Sequence, residues 1–391
     1  MRILHVTCSL DPALGGLSAF LRALVPALAA CGHPSEIASL DRPDAPWVNS
    51  GSAPVHPLGP AKLGYAYAPR LRSWLRAQAP RFDCVLVHGL WQYPGLATHL
   101  ALSPARVPYY IFPHGMLDPW FKRQYPLKHI KKWIYWHLAE RRILAGAQAV
   151  LFTCEEERWL ARESFGGRPY RERVVNLGTA TPPARSLGQR EAFFQRHPEL
   201  RDHPFWLFLG RIHPKKGPDL LLRAYAQMSR HNPALPRLVM AGPCADNRYL
   251  RELQSFAAES CPQGSVLWSG MLSGDAKWGA LRAAEVFVLP SHQENFGIAV
   301  VEALACGVPV LISNQVNIWR EIVDDGAGLV GADTVDGTLR LLERWCSFST
   351  ETRQRMRAAA VDSFAGRFEI GAVAQSLLEV VGESQRVHVF P

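Results

Sequence analysis

What most limits the folds open to this chain is a pattern that it contains twice. Short apolar runs end in glycine, histidine or polar loops and alternate with helical stretches, at residues 3–7, 37–40, 84–88, 109–113, 149–153 and 174–177. The pattern returns at 205–209, 238–241, 266–268, 286–290, 308–312 and 328–330. Strands that are apolar along their whole length are buried on both faces, and the intervening helices supply the cover, so each series predicts a parallel, doubly wound sheet. Between the two series, residues 178–188 are polar and rich in proline and glycine, as interdomain linkers are. At 391 residues the chain is long for one core. We therefore expect two α/β domains, 1–185 and 186–367, facing each other across a cleft, with ligands beyond the carboxyl ends of the strands.

Composition narrows the class. With 48% hydrophobic and 20% charged residues the chain is globular, neither disordered nor membrane-spanning. The first apolar stretch is too short for a signal peptide, and no apolar run approaches the ~18 to 20 residues of a transmembrane helix. A cytoplasmic protein is expected. Its eight cysteines are scattered singly, without C-x-x-C pairs, and read as reduced core residues. Charge is unevenly shared: residues 1–185 hold 22 Lys and Arg against 12 Asp and Glu, and residues 186–391 hold 21 against 22. The basic excess centres on 121–142, where Lys122, Arg123, Lys128, Lys131 and Lys132 alternate with aromatics such as Trp133 and Trp136. Such a segment suits an anionic membrane surface or a lipid-linked phosphate, or else a solvated helix with some aromatics in the core. No recognisable nucleic-acid motif accompanies it.

The chemistry-bearing residues gather where predicted strands end. After 286–290 a polar loop carries Glu294, and the helix opened by Gly297 carries Glu302 about a turn and a half inside. Taken alone, two glutamates are ordinary surface residues. Glu302, however, interrupts an apolar helical run, where a carboxylate without a partner is costly. Both can offer charge-assisted hydrogen bonds to hydroxyls, while the amides of Asn295, Phe296 and Gly297 at the helix start favour phosphate. After 205–209 come Arg211 and Lys216, a planar fork and a mobile point charge able to clamp a diphosphate without a metal. No D-x-D candidate sits at a strand end, so no divalent ion and no other cofactor is expected. In the first half, Gly16 lies in a glycine turn leading into a helix, which alone is a weak phosphate signal. His114 follows strand 109–113, close to Asp118. Trp91 follows strand 84–88, placed either to stack on a sugar or to pack.

Together these residues resemble the retaining glycosyltransferases of family 4, over nearly the whole chain and most strongly in the second half. Glu294 and Glu302 match that family's E-x7-E pair, Arg211 and Lys216 its phosphate-binding cations, Gly16 its glycine loop and His114 its donor-side histidine. The resemblance implies a GT-B fold of two Rossmann-like domains, with a last helix, about 368–391, packing back on the first. It implies that Glu294 holds the donor sugar, Glu302 the ribose, and Arg211, Lys216 and the amides near Gly297 the diphosphate. His114 would lie near the transferred sugar. Trp319, where the usual pattern has smaller residues, is a departure. Residues 114–120 and the basic aromatic segment also look like bacterial enzymes that build exopolysaccharide or O-antigen units on a lipid carrier. The expected activity is transfer of a hexose from a UDP- or GDP-sugar to a lipid-linked saccharide at the inner face of the membrane, with Trp91 and Asp118 on the acceptor side. A non-hydrolysing sugar-nucleotide epimerase and a nucleotide-sugar sensor are the alternatives.

Overall fold

The computed structural model describes residues 1–12, 16–49, 51, 53–62, 64–103, 107–120, 122, 126–165, 170–232 and 234–386. The chain divides into two compact units, Met1–Ala180 with Glu369–Pro391, and Thr181–Phe368.

The first unit is built on a seven-stranded, all-parallel sheet. Its strands are β1 (Ile3–Thr7), β2 (Ser35–Ser39), β3 (Val55–Pro57), β4 (Cys84–His88), β5 (Tyr109–Phe112), β6 (Ala149–Phe152) and β7 (Glu172–Val174). They lie in the order β3-β2-β1-β4-β5-β6-β7. The second unit has six parallel strands: β8 (Phe205–Leu209), β9 (Arg237–Ala241), β10 (Val266–Gly270), β11 (Val286–Leu289), β12 (Val310–Ser313) and β13 (Gly328–Gly331). Their order is β10-β9-β8-β11-β12-β13.

The central strands are buried along their whole length, β1, β4 and β8 at every position, which is why they read as unbroken apolar runs. The edges differ. β3 escapes the sequence pattern because Val55-His56-Pro57 is short and only half-buried at every position. β7 lies at 172–174 rather than 174–177, with Arg173 exposed in its middle. An edge strand has one ladder partner and partial cover, so burial does not write its pattern into the sequence.

In each sheet the first strand lies inside, and the strand order reverses between it and a later parallel neighbour: β1 beside β4, and β8 beside β11. Those are the switch points outside which doubly wound sheets open a crevice for ligands. The final helix, Ile370–Arg386, packs on the helix Gly16–Ala30 within the first unit. It buries Val373, Ala374, Leu377 and Val381. The two chain segments that leave and rejoin this unit are tied together, Ile370 N donating to Thr179 O at 3.2 Å.

Candidate functional site

At the switch point of the second sheet, the loops leaving β8 and β11 are joined through their backbones. His292 N donates to Lys215 O at 2.9 Å. Gly217 has φ +64° and lies so close to Pro290 that a Cβ would stand 2.2 Å from its carbonyl oxygen. Only glycine meets both demands, so the turn Lys215-Lys216-Gly217 is held against the end of β11 by what residue 217 lacks. This brings the Lys216 ammonium onto the Glu294 carboxylate as an ion pair in which both side chains are mostly buried. Burial, with the charges of Lys215 and Arg211, presses the Lys216 pKa down to about 7, while the touching carboxylate of Glu294 pulls the other way. Arg211 is exposed, and no carboxylate among the described residues pairs with it.

The Glu294 loop is braced from the side. Glu294 N donates to Gln315 O, and Asn317 N donates back to Glu294 O, both at 2.9 Å. Asn317 Nδ2 also donates to Asn295 Oδ1 at 3.3 Å. Phe296 is buried edge-on against Phe368 and anchors the loop. Gly297, at φ +76°, caps the helix Ile298–Ala305, which starts one residue later than expected from sequence. The amides of Phe296 and Gly297 have no acceptor among the described residues.

Glu302 does have a partner: Lys277 Nζ, on the helix Gly274–Ala283, is 2.6 Å away. The same ammonium lies 4.3 Å from the centre of the Trp278 ring. Lys277 was not foreseen. The signal for it was the carboxylate itself, since a Glu on an apolar helix requires a countercharge from another element.

In the first unit, His114 follows β5 with φ +51°, a left-handed conformation that costs a non-glycine residue roughly 1 kcal/mol or more. Two buried groups hold it there. His114 Nε2 is 3.0 Å from His88 Nδ1, at the end of β4, and the next amide, Gly115 N, donates to Glu157 Oε1 at 2.5 Å. The other oxygen of Glu157 accepts from Thr153 N and Oγ1. These bonds offset the burial that raises its pKa. Gly16 is exposed at the start of its helix, and the preceding residues 13–15 lie outside the described ones. Phe20 of the same helix stands edge-on to the His114 ring, 6.4 Å between centres.

Trp91 and Asp118 take part in packing and capping. Trp91, itself at φ +66°, donates from Nε1 to Met116 O and from its amide to the buried Glu140. Its ring packs on Phe165 and Trp136, with Lys132 Nζ 5.1 Å from the ring centre. Asp118 is buried and accepts from Trp120 N at 2.8 Å.

The basic aromatic segment divides in two. Trp136, expected to face a membrane, is 1% exposed and stacks on Phe165, and Lys132 is half-buried beside Trp91. Its other face points outward. Leu127, Ile130, Trp133, Ile134 and Leu138 are 50–80% exposed, with Lys122, Lys128, Lys131, Arg141 and Arg142 exposed around them. Arg123 lies outside the described residues. Among those residues no helix is long and apolar enough to cross a membrane.

Comparison with known proteins bears on both units. The family model described as glycosyl transferases group 1 matches residues 189–362, and the glycosyl transferase 4-like domain matches 15–178. Two curated relatives are the D-inositol 3-phosphate glycosyltransferases of Thermomonospora curvata and Xylanimonas cellulosilytica. The first is 34% identical over 57% of this chain and 54% of its own length, the second 28% identical over 80% and 69%. The chain thus spans about half to two thirds of the curated relatives it matches. Among solved structures, Anabaena HepE in complex with UDP superposes with a TM-score of 0.78 at 17% identity, over 98% of this chain and 100% of that one. This chain therefore has the GT-B fold and carries a glycosyl transferase 4-like domain followed by a glycosyl transferases group 1 domain.

Proposed function

We propose that the protein is a metal-independent retaining hexosyltransferase of glycosyltransferase family 4, which moves a hexose from a UDP- or GDP-sugar to a lipid-linked saccharide. The observation that carries this reading is the joining of the loops after β8 and β11, which sets Arg211, Lys216 and Glu294 together at a sheet switch point. An ammonium has three donors and a carboxylate about four acceptor positions, so Lys216 and Glu294 can stay paired and still take a phosphate oxygen and sugar hydroxyls. Arg211, Lys216 and the amides of Phe296 and Gly297 would carry the diphosphate. Glu302, oriented by Lys277, would hold the ribose, and His114 would contact the transferred sugar.

In the reaction, the bond from the anomeric carbon to the phosphate oxygen breaks, and the acceptor oxygen bonds to the same face. Its proton passes to the leaving phosphate. The charge that develops there is stabilised by Arg211 and Lys216, so no carboxylate nucleophile is required. The acceptor reading rests on the exposed stripe Leu127, Ile130, Ile134 and Leu138, spaced as one helical face, with Trp133 beside it and cations around it. Each side chain gains roughly 1 kcal/mol on leaving water, and each nearby cation about 1 kcal/mol at an anionic surface. That stripe supports the reading of a peripheral protein on the inner face of the membrane that takes part in surface polysaccharide assembly. The names of the curated relatives favour a second reading, a soluble phosphorylated inositol as acceptor.

The test is to incubate purified protein with a panel of UDP- and GDP-sugars and follow nucleotide release and product. The arms contain a membrane lipid extract, D-inositol 3-phosphate, or no acceptor. Release that needs one donor and the extract supports the proposal, and release with the inositol phosphate alone moves the acceptor to a soluble polyol. Isomerised donor without acceptor would make the protein an epimerase, and binding without turnover in any arm a sensor.

A further inference from the structure

Three strands of the first sheet each place one histidine in a single row. His5 is on β1, His88 ends β4 and His114 follows β5. His5 Nδ1 lies 3.0 Å from His88 Nε2, and His88 Nδ1 lies 3.0 Å from His114 Nε2. The rings are stacked, with centres 5.3 Å apart at both steps, and Phe112 lies parallel to His88 and His114. Two of the three, His5 and His88, are at most 3% exposed. Among the described residues no carboxylate contacts any of the rings, and no group of His, Cys, Asp or Glu is placed to hold a metal ion.

Proton counting couples the three rings. A neutral imidazole has one N–H and one bare nitrogen, and each contact needs one of each. If His88 carries its proton on Nδ1, it donates to His114 Nε2, so the His114 proton is on Nδ1. His88 Nε2 must then accept from His5 Nδ1. If His88 carries its proton on Nε2, all three rings carry theirs on Nε2. No other neutral arrangement makes both hydrogen bonds. At the far end His5 Nε2 is buried without a partner. With no carboxylate to stabilise a charge there, the row is no charge relay.

We propose that His5 and His88 are positioning residues that tie the tautomer of His114 to that of the whole row, so that its free Nδ1 meets the transferred sugar in the hydrogen-bonding role the row dictates. This rests on the proposed contact between His114 and that sugar. Burial reinforces the coupling by opposing protonation: the pKa of His5 and of His114 falls to about 3, and that of His88 well below its usual value. The row also explains a polar residue inside the strand Ile3-Leu4-His5-Val6. A buried imidazole needs a partner, and His88 at the end of β4 supplies it.

The experiment is a long-range proton–nitrogen NMR spectrum of the whole protein with labelled histidine at neutral pH, together with kinetics. His5→Gln, His88→Asn and His88→Phe assign the signals and perturb the row. The same tautomer in all three rings is expected, with His114 becoming a mixture of tautomers in His88→Phe. In that variant kcat should fall roughly 10- to 100-fold with little change in donor KM, and His88→Asn should recover part of the loss. Different tautomers among the three rings, or a His114 signal and kcat unchanged in folded His5→Gln and His88→Asn, would overturn the proposal. His114→Ala separates it from the reading beneath: full activity there removes His114 from the sugar site, whatever the row does.

Discussion

The two units carry the same kind of sheet, yet they place polar groups at its carboxyl edge in opposite ways. In the second unit the groups are charged and neutralise one another across loops and helices, Lys216 with Glu294 and Lys277 with Glu302. In the first they are neutral imidazoles, stacked and hydrogen-bonded in a row under aromatic cover. Paired charges can rearrange around an anionic, hydroxyl-rich ligand. A row of neutral rings cannot, and it offers one fixed atom. Under the proposed function, the charged pairs of the second unit would hold the donor and the imidazole row of the first would orient the sugar.

The largest effect that could break this contrast is expected at Glu294. Glu294→Gln keeps the shape but removes the charge, and should lower kcat/KM roughly 10²- to 10³-fold while the far-ultraviolet dichroism stays native. Full activity in that folded variant would remove Glu294 from the chemistry. Lys277→Ala leaves the mostly covered Glu302 without its countercharge. It should raise donor KM by about tenfold, with a smaller change in kcat.

The contrast was only half visible in the sequence, and the reason is distance along the chain. Arg211 and Lys216 sit in one turn, and Glu294 and Glu302 in one loop and helix, so their spacing alone shows what they can do together. His5, His88 and His114 become neighbours only once β1 is known to lie beside β4, and β4 beside β5. Lys277 and Glu157 were missed for the same reason, each serving an element far away in sequence. Trp136 reads as a membrane residue in the sequence because an aromatic among cations looks alike whether it packs or projects. The turn of the helix decides, and it sends Trp136 inward and Trp133 outward. The central strands were legible because burial on both faces leaves unbroken apolar runs, and β3 was not because an edge carries no such demand.

A pH series sharpens the comparison further. With its pKa near 7, Lys216 is an ammonium below that pH and loses its charge as pH rises above it. Diphosphate affinity should therefore fall severalfold between about pH 6 and about pH 8.5, and Lys216→Arg should flatten the profile. The row of histidines predicts no counterpart, because burial lowers the pKa of His5 and His114 to about 3 and that of His88 well below its usual value, so the rings stay neutral throughout that range. At the outer face of the first unit, Lys128→Glu with Lys131→Glu should reduce sedimentation with anionic vesicles. Ile130→Ser with Trp133→Ser should reduce it further and with less dependence on salt. Unchanged binding in both would remove the membrane surface as a partner. The smallest effect is expected on stability: Glu157→Gln weakens the bonds to Gly115 and Thr153 and should cost about 1 to 3 kcal/mol in denaturant unfolding.

The central claim, that the joined loops after β8 and β11 receive a nucleotide diphosphate, is tested most directly by thermal unfolding at neutral pH with UDP and with GDP. The wild type and the double variant Arg211→Ala/Lys216→Ala should be followed in parallel. One nucleotide should raise the wild-type melting temperature in proportion to the logarithm of its concentration, and the double variant, folded, should gain nothing over its own melting temperature without ligand. Equal stabilisation of both proteins, or none of the wild type by either nucleotide, would contradict it.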